Sequence, residues 1–185
     1  MSFLKLQIPR MEELYGIPIH KTFNQPMTDS DMAVVTGSMK NGRAHDITLY
    51  IRKDDEYIFI AKHFYPQGLF RAPSGGVNLG EDFIVGAKRE AMEETGVEIE
   101  LEKYVMRIDV RFESENQHVD WTSHIFTANY LNGEIIPQDI NEIREARLVK
   151  PSEISGLIKI MAKSDLGGLV YRSFLTTEMQ KLLQG

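Results

Sequence analysis

Apolar residues recur along this chain in two rhythms, and the changes between them mark its elements. Met32 to Met39 and Arg43 to Ile51 are strand-like runs on either side of Lys40-Asn41-Gly42. Asn-Gly between two such runs predicts a β-hairpin. Ile47, Leu49 and Ile51 alternate with Thr48 and Tyr50, and after the charged turn Lys53-Asp54-Asp55-Glu56 a further run covers Tyr57 to Ala61. This pattern predicts a second hairpin. His63 to Gly68 reads as a loop leading through Phe70-Arg71-Ala72-Pro73. Further on, Leu101 to Phe112 and His118 to Leu131 predict two long strands around the polar loop Glu113 to Gln117, and Ala146 to Val149 predicts a short strand after an acidic stretch, Asp139 to Glu145.

The helical rhythm takes over in three places. Ile84, Ala87 and Ala91 recur at i, i+3 and i+7, a narrow stripe whose alanines let a helix lie close against a sheet. Gly80-Glu81-Asp82 supplies a start with negative charge at the N-terminal dipole, and Gly96 supplies the stop. Pro151-Ser152 opens a helix carrying Ile154, Leu157, Ile158 and Met161. A last helix follows Gly167-Gly168, anchored by Val170, Phe174 and Leu175. In residues 1–30, Pro9, Pro18 and Pro26 interrupt any long element, leaving a short amphipathic piece around Met11 to Tyr15 to which no chemistry is assigned. The order predicts an α/β fold, a mixed sheet held between helices. Residues 1–44 form an N-terminal extension with a strand, and residues 45–185 the main domain.

Composition narrows the chemistry. With 185 residues, 42% hydrophobic and 26% charged, the chain is an ordinary globular length and mix for one domain. It has no cysteine, so disulfides, thiolate metal sites and cysteine nucleophiles are excluded. A net charge of -6 is the wrong sign for holding a long nucleic acid by its phosphates. No segment approaches the ~18 apolar residues of a membrane helix, and MSFLKLQIPR lacks a signal-peptide core. The expectation is a soluble, cytoplasmic protein.

Glu90, Glu93 and Glu94 project together from the last turns of the predicted helix. Like charges at this spacing repel by roughly 0.2–0.5 kcal/mol per pair. Acids near a helix C-terminus oppose the dipole by roughly 0.3–1 kcal/mol each. Lys88 and Arg89 are the only nearby cations, too few to neutralise three carboxylates. A hard cation such as Mg²⁺, which takes one or two carboxylates and leaves positions for water and phosphate oxygens, would offset both costs. The bland alternative is a solvated acidic face.

The spacing from Gly75 to Val97 decides between them. Gly75, five residues, Glu81, seven residues and then Arg-Glu-Ala-Met-Glu-Glu-Thr-Gly-Val resembles the Nudix box, the signature of the Nudix hydrolase family. At about 6–7% usage per residue type, the seven fixed identities would occur by chance on the order of once in 10⁸ registers. Ala91 is smaller than the aliphatic residue usual there, and Ser74 replaces a common glycine. The weaker likeness of the flanking strands reaches from Asp46 to Glu153. Isopentenyl diphosphate isomerases, Nudix-like but known for an active-site cysteine, are excluded.

The resemblance implies an α/β/α sandwich and an Mg²⁺-dependent hydrolase, with Mn²⁺ as substitute, that cleaves the diphosphate linkage of a nucleoside diphosphate joined to another group. By this likeness Glu93 and Glu94 are principal metal ligands and Glu90 a ligand or supporting base. Glu81 binds a second ion or braces the loop, Arg89 pairs with a carboxylate, and Gly75 lets backbone approach metal or phosphate. Such N-terminal strands build dimers in many relatives, which makes a homodimer an expectation by resemblance only. Outside the box, Arg71 and His63 are candidates for substrate contact, with a surface arginine paired with Glu or Asp and an exposed histidine as alternatives. Phe112 and Trp121 are candidates for stacking on a base, with core packing as the default. The general base is assigned to Glu142, with Glu113, Glu115 and Glu145 as competitors and a solvated surface glutamate as the alternative. A non-catalytic nucleotide-sensing module and a broad clean-up hydrolase are the other readings. The segment Val110 to Glu115 has neither the proline tied to ADP-ribose hydrolases nor the tyrosine tied to dinucleoside polyphosphate hydrolases, so the substrate stays open.

Overall fold

The computed structural model describes residues 3–183. Six strands run side by side in the order β1-β5-β6-β2-β3-β7, and β4 pairs with β2 off this path. These are β1 (Ile19–Pro26), β2 (His45–Lys53), β3 (Glu56–Lys62), β4 (Ser74–Gly76), β5 (Glu98–Glu113), β6 (His118–Asn132) and β7 (Ile143–Val149). The sheet is mixed: β1 runs parallel to β5 and β2 parallel to β6, the other pairings being antiparallel. Alternation along β2 separates two cores, because Ile47, Leu49 and Ile51 point to one side and Tyr50 to the other.

Each face carries its own helices. On one, α3 (Phe83–Thr95) buries Phe83, Ala87 and Ala91 with Ile47, Ile58 and Phe126, and α1 (Phe3–Tyr15) adds Met11. On the other, α2 (Asp29–Ser38), α4 (Pro151–Ala162) and α5 (Gly167–Leu183) pack Met32, Leu157, Met161, Leu169, Tyr171 and Leu175 onto Phe59, Met106 and Ile125. This is the α/β/α layering that the periodicity predicts. Leu169, Tyr171, Leu175 and Met179 are the buried apolar side chains of α5, whereas Val170 and Phe174 are half-buried.

Two expectations for the first 44 residues are corrected. Met32 to Met39 is helix, not the first strand of a hairpin. Thr28 caps it, its hydroxyl accepting from the Asp31 N–H at 3.1 Å while the Asp31 carboxylate accepts from the Thr28 N–H at 3.4 Å. That reciprocal cap outweighs the strand preference of Val34 and Val35. Asn41-Gly42 instead lies in a 3₁₀ turn, Lys40–Gly42, with Gly42 at φ 73. The strand in this stretch is β1.

Pro9 lies inside α1 and does not end it. An interior proline costs about 3 kcal/mol in an isolated helix, but α1 is held from outside. The Gln7 amide donates to Glu81 O at 3.0 Å and its oxygen accepts from the Phe83 N–H at 2.6 Å. Arg10 pairs with Asp82 at 2.7 Å. The N-terminal helix therefore clamps the start of α3.

Ala87 and Ala91 are fully buried against the sheet. Ala91→Phe is expected to overpack that contact and lower stability by about 1–3 kcal/mol, read from the denaturant midpoint at unchanged slope. A neutral result would mean that α3 does not pack as tightly as described.

Candidate active site

β4 pairs with the first half of β2, Ser74 opposite Thr48 and Gly75 opposite Ile47, which lays the glycine-bearing strand beside the last turns of α3. α3 starts where Asp82 accepts from the Ile84 and Val85 N–H groups at 3.0 and 3.2 Å. It stops at Gly96, at φ 77, where a Cβ would come within 2.1 Å of Ile136 O. The helix turns its apolar stripe to the sheet and its glutamates to a cleft of about 560 Å³.

Arg89 organises those glutamates. Its Nε and Nη2 donate to the two Glu81 oxygens at 2.7 and 2.9 Å, and its Nη1 donates to Glu90 Oε1 at 2.7 Å and Glu93 Oε2 at 2.9 Å. Glu81 also accepts from the backbone and side chain of Asn78, at 2.9 and 3.1 Å, and does not line the cleft. Its hydrogen bonds with Arg89 hold its carboxyl below the usual range. Both Glu81 oxygens are thus engaged by Arg89, and one of them by Asn78 as well.

Glu90 is 8% exposed and occupies the space above Gly75, where a Cβ would lie 1.8 Å from the carboxyl group. Gly75 is glycine here to make room for a carboxylate. Burial pushes the Glu90 carboxyl up to about 7, outweighing the opposing pull of Arg89. Glu94 is buried as well. Its Oε2 accepts from the Ser74 N–H at 2.6 Å and its Oε1 faces Arg71 Nη2 at 3.5 Å. Burial raises its carboxyl against Arg71, Lys62 and the Ser74 N–H. Glu93 is the most open of the three.

Arg71 is 3% exposed, and its guanidinium donates to the Tyr65 hydroxyl at 2.7 Å, Ala72 O at 2.7 Å and Ser74 Oγ at 2.8 Å. It borders the cleft but spends its donors on protein, buried and not the surface arginine of the alternative reading. Ser74, at the position of the missing glycine, ties Arg71 to Glu94. Phe112 lies in the core with its ring edge-on to Tyr171 at 5.2 Å, outside the carboxylate cleft. His63 meets Ile140 O at 2.9 Å.

Glu142 lines the cleft, on a segment fixed to α3 because the Gln138 and Asp139 N–H groups donate to Glu93 O at 3.0 and 2.9 Å. Lys62 donates to Glu142 Oε1. Glu113 and Glu115 lie at the β5–β6 turn and Glu145 beside a different groove. Three basic residues that periodicity gave no reason to select also face the cleft: Arg43, Lys62 and Arg172. Arg172 pairs with Asp46 and Lys62 with Glu142, whereas Arg43, among the described residues, meets only the neutral Asn78 Oδ1. Arg43 lies over Gly76, where a Cβ would be 2.9 Å from its Cδ.

The donor set fits a hard divalent cation in kind: all oxygen, with Glu90 Oε2 and Glu93 Oε1 accepting no hydrogen bond among the described residues. As they stand, no three carboxylate or imidazole groups among those residues are gathered to hold a metal ion.

Fold and cleft together define an α/β/α protein whose central helix presents a carboxylate cluster across a glycine-bearing strand. Residues 42–167 match the family model described as NUDIX domain, and the chain belongs to the Nudix family. The "Putative mutator protein MutT4" of Mycobacterium tuberculosis (strain CDC 1551 / Oshkosh) is 33% identical over 86 residues, 46% of this chain and 34% of that protein. The match thus spans about a third of the length of that curated relative. Among solved structures, a NUDIX hydrolase from Nitrosomonas europaea is 17% identical at a TM-score of 0.51, covering 72% of this chain and 89% of its own. A NUDIX-family hydrolase from Clostridium perfringens is 14% identical at a TM-score of 0.48, covering 74% and 98%. The likeness to the Nitrosomonas europaea protein is one of fold alone.

Because burial raises Glu90, its contribution to stability is full below about 4.5, the ordinary value, and is lost as pH rises through about 7. The difference in unfolding free energy between Glu90→Gln and the parent, both metal-free, is expected to shift toward the variant by about 2–3 kcal/mol between pH 5 and pH 8. A pH-independent difference would contradict the burial of this carboxyl.

Proposed function

We propose that the chain is a divalent-cation-dependent hydrolase that cleaves the diphosphate linkage of a nucleoside diphosphate joined to another group, water attacking phosphorus. The observation that carries this reading is the meeting, in one cleft, of open Glu90 and Glu93 oxygens with an arginine, Arg43, that has no carboxylate partner among the described residues. Family membership supports it. Glu90, Glu93 and Glu94 would hold Mg²⁺, or Mn²⁺ in its place. A bound cation screens the diphosphate charge, polarises the phosphoryl oxygen and lowers the pKa of a water.

The chain's own residues do the rest. Arg43 meets a diphosphate oxygen and fixes its position, since an unpaired guanidinium in a cleft forms strong charge-assisted bonds to phosphate. Arg71 acts through Glu94, which it positions together with the Ser74 N–H. Glu142 takes the proton of the attacking water. It stands at the cleft on a segment that shares a backbone contact with Glu93, and Lys62 holds its carboxylate at one oxygen, leaving the other for the proton. The hydrolase unit is assigned to residues 45–185, with an N-terminal extension, residues 1–44, whose Arg43 reaches the cleft. Among the described residues no helix is long and apolar enough to cross a membrane, and we assign the protein to the cytoplasm.

A panel of nucleotide diphosphates assayed with Mg²⁺ is the direct test, with nucleoside monophosphate or phosphate as the readout. Turnover of at least one member is expected, and tight binding without product would favour a sensing module instead. With the best substrate, Glu142→Gln is expected to lower the maximal rate by about 10²–10⁴-fold at little change in Mg²⁺ affinity. If Glu142→Gln stays within a few-fold of the parent while Glu113→Gln or Glu115→Gln collapses, the base lies at the β5–β6 turn.

A further inference from the structure

Beyond Asp46 and Arg172 the cleft continues into a recess of about 130 Å³ between α2 and the sheet. Val34 and Val35 form its roof, and Phe112, Trp121 and Tyr171 supply aromatic walls. Three polar side chains of the walls are engaged with one another or with neighbours. Trp121 Nε1 donates to Asp46 Oδ1 at 3.0 Å, Arg172 Nη2 to Asp46 Oδ2 at 2.8 Å, and the Tyr171 hydroxyl to Ser123 Oγ at 2.9 Å. A group entering from the cleft therefore meets a surface that is mainly apolar and aromatic.

The roof is fixed in place rather than draped over the opening. Thr28 and Asp31 cap α2, Asp31 also accepts from the Gly167 N–H at 3.3 Å, and Asn116 donates to Asp29 at 2.9 Å. Two elements outside α2, the start of α5 and the β5–β6 turn, thus set its height above the aromatic walls.

We infer that this recess receives the nucleobase of the substrate, which makes α2 the element that selects the base-bearing end. The inference rests on the nucleotide hydrolase reading above and deepens it. A flat ring suits the site, because stacking on aromatic side chains contributes roughly 1–3 kcal/mol per base and needs no hydrogen-bond partner. An alkyl chain is the competing occupant, and the volume of about 130 Å³ accommodates only a short one.

Trp121 is the only tryptophan of the chain, so its emission reports on the recess directly. The full chain would be titrated with AMP, with ribose 5-phosphate and with isopentenyl diphosphate, exciting beyond the absorption of adenine. AMP is expected to quench the emission saturably and the two base-free probes to leave it unchanged. Val35→Phe, filling the recess from the roof, is expected to raise the AMP dissociation constant about tenfold or more. Val34→Phe, at a position 67% exposed where the fold is not at stake, acts in the same direction. The inference is overturned if ribose 5-phosphate quenches as AMP does, if only the alkyl diphosphate quenches, or if AMP has no effect while nucleotide substrates are hydrolysed. Saturable AMP quenching without any hydrolysis would refute the hydrolase reading and leave the base site standing.

Discussion

One guanidinium sets the terms for the whole cleft. Arg89 has five N–H donors. They go to the two Glu81 oxygens, to Glu90, to Glu93 and to Gly76 O. A lysine has neither the number nor the planar spread to replace it. The glycines around it follow from the same packing: Gly75 leaves room for Glu90, and Gly86 lets Glu81 lie where a Cβ would be 3.1 Å from its oxygen. Widely spaced identities of the signature are thus a single three-dimensional contact set. One positive charge holds three carboxylates, so the cluster keeps an excess of negative charge.

That excess is shared unevenly, and the unevenness gives the cleft its direction. Glu90 and Glu94 are buried and their carboxyls raised, whereas Glu93 is open to solvent. Across the cleft, Asp46, Lys62, Glu142 and Arg172 form pairs, leaving Arg43 as the free cation among the basic residues described there. A substrate that brings a diphosphate between Arg43 and the glutamates would place its remaining group toward α2 and the aromatic recess. The Gln138 and Asp139 contacts with Glu93 O tie the segment carrying Glu142 to the helix carrying the glutamates, so displacing one displaces the other.

What the sequence made legible was local. The caps and stripe of α3, the alternation of β2 and the long runs of β5 and β6 each lie within one stretch of chain. Residues 29–38 misled because Val34, Val35 and the following Asn-Gly favour a hairpin locally, and the deciding cap at Thr28 uses Asp31 in place of the more familiar glutamate. α1 was hidden for a different reason: Pro9 argues against a helix, and Gln7 and Arg10 hold it only through contacts with residues more than 70 positions away. In the site, the box glutamates were legible from their spacing. Arg43, Lys62 and Arg172 were not, because the segment leading into β2, the end of β3 and α5 meet at one cleft only after the sheet has formed. Arg71, close to the box in sequence, turned out to be buried beneath it.

Cation binding by the α3 glutamates, which Arg89 and Arg71 hold in place, is read from the loss of the free Mn²⁺ electron paramagnetic resonance signal as protein is added, without any substrate. The parent and Glu142→Gln are expected to remove the signal alike, and a Glu93→Gln, Glu94→Gln double variant, folded by circular dichroism, is expected to leave it. Equal depletion of the signal by the double variant and the parent would contradict that binding.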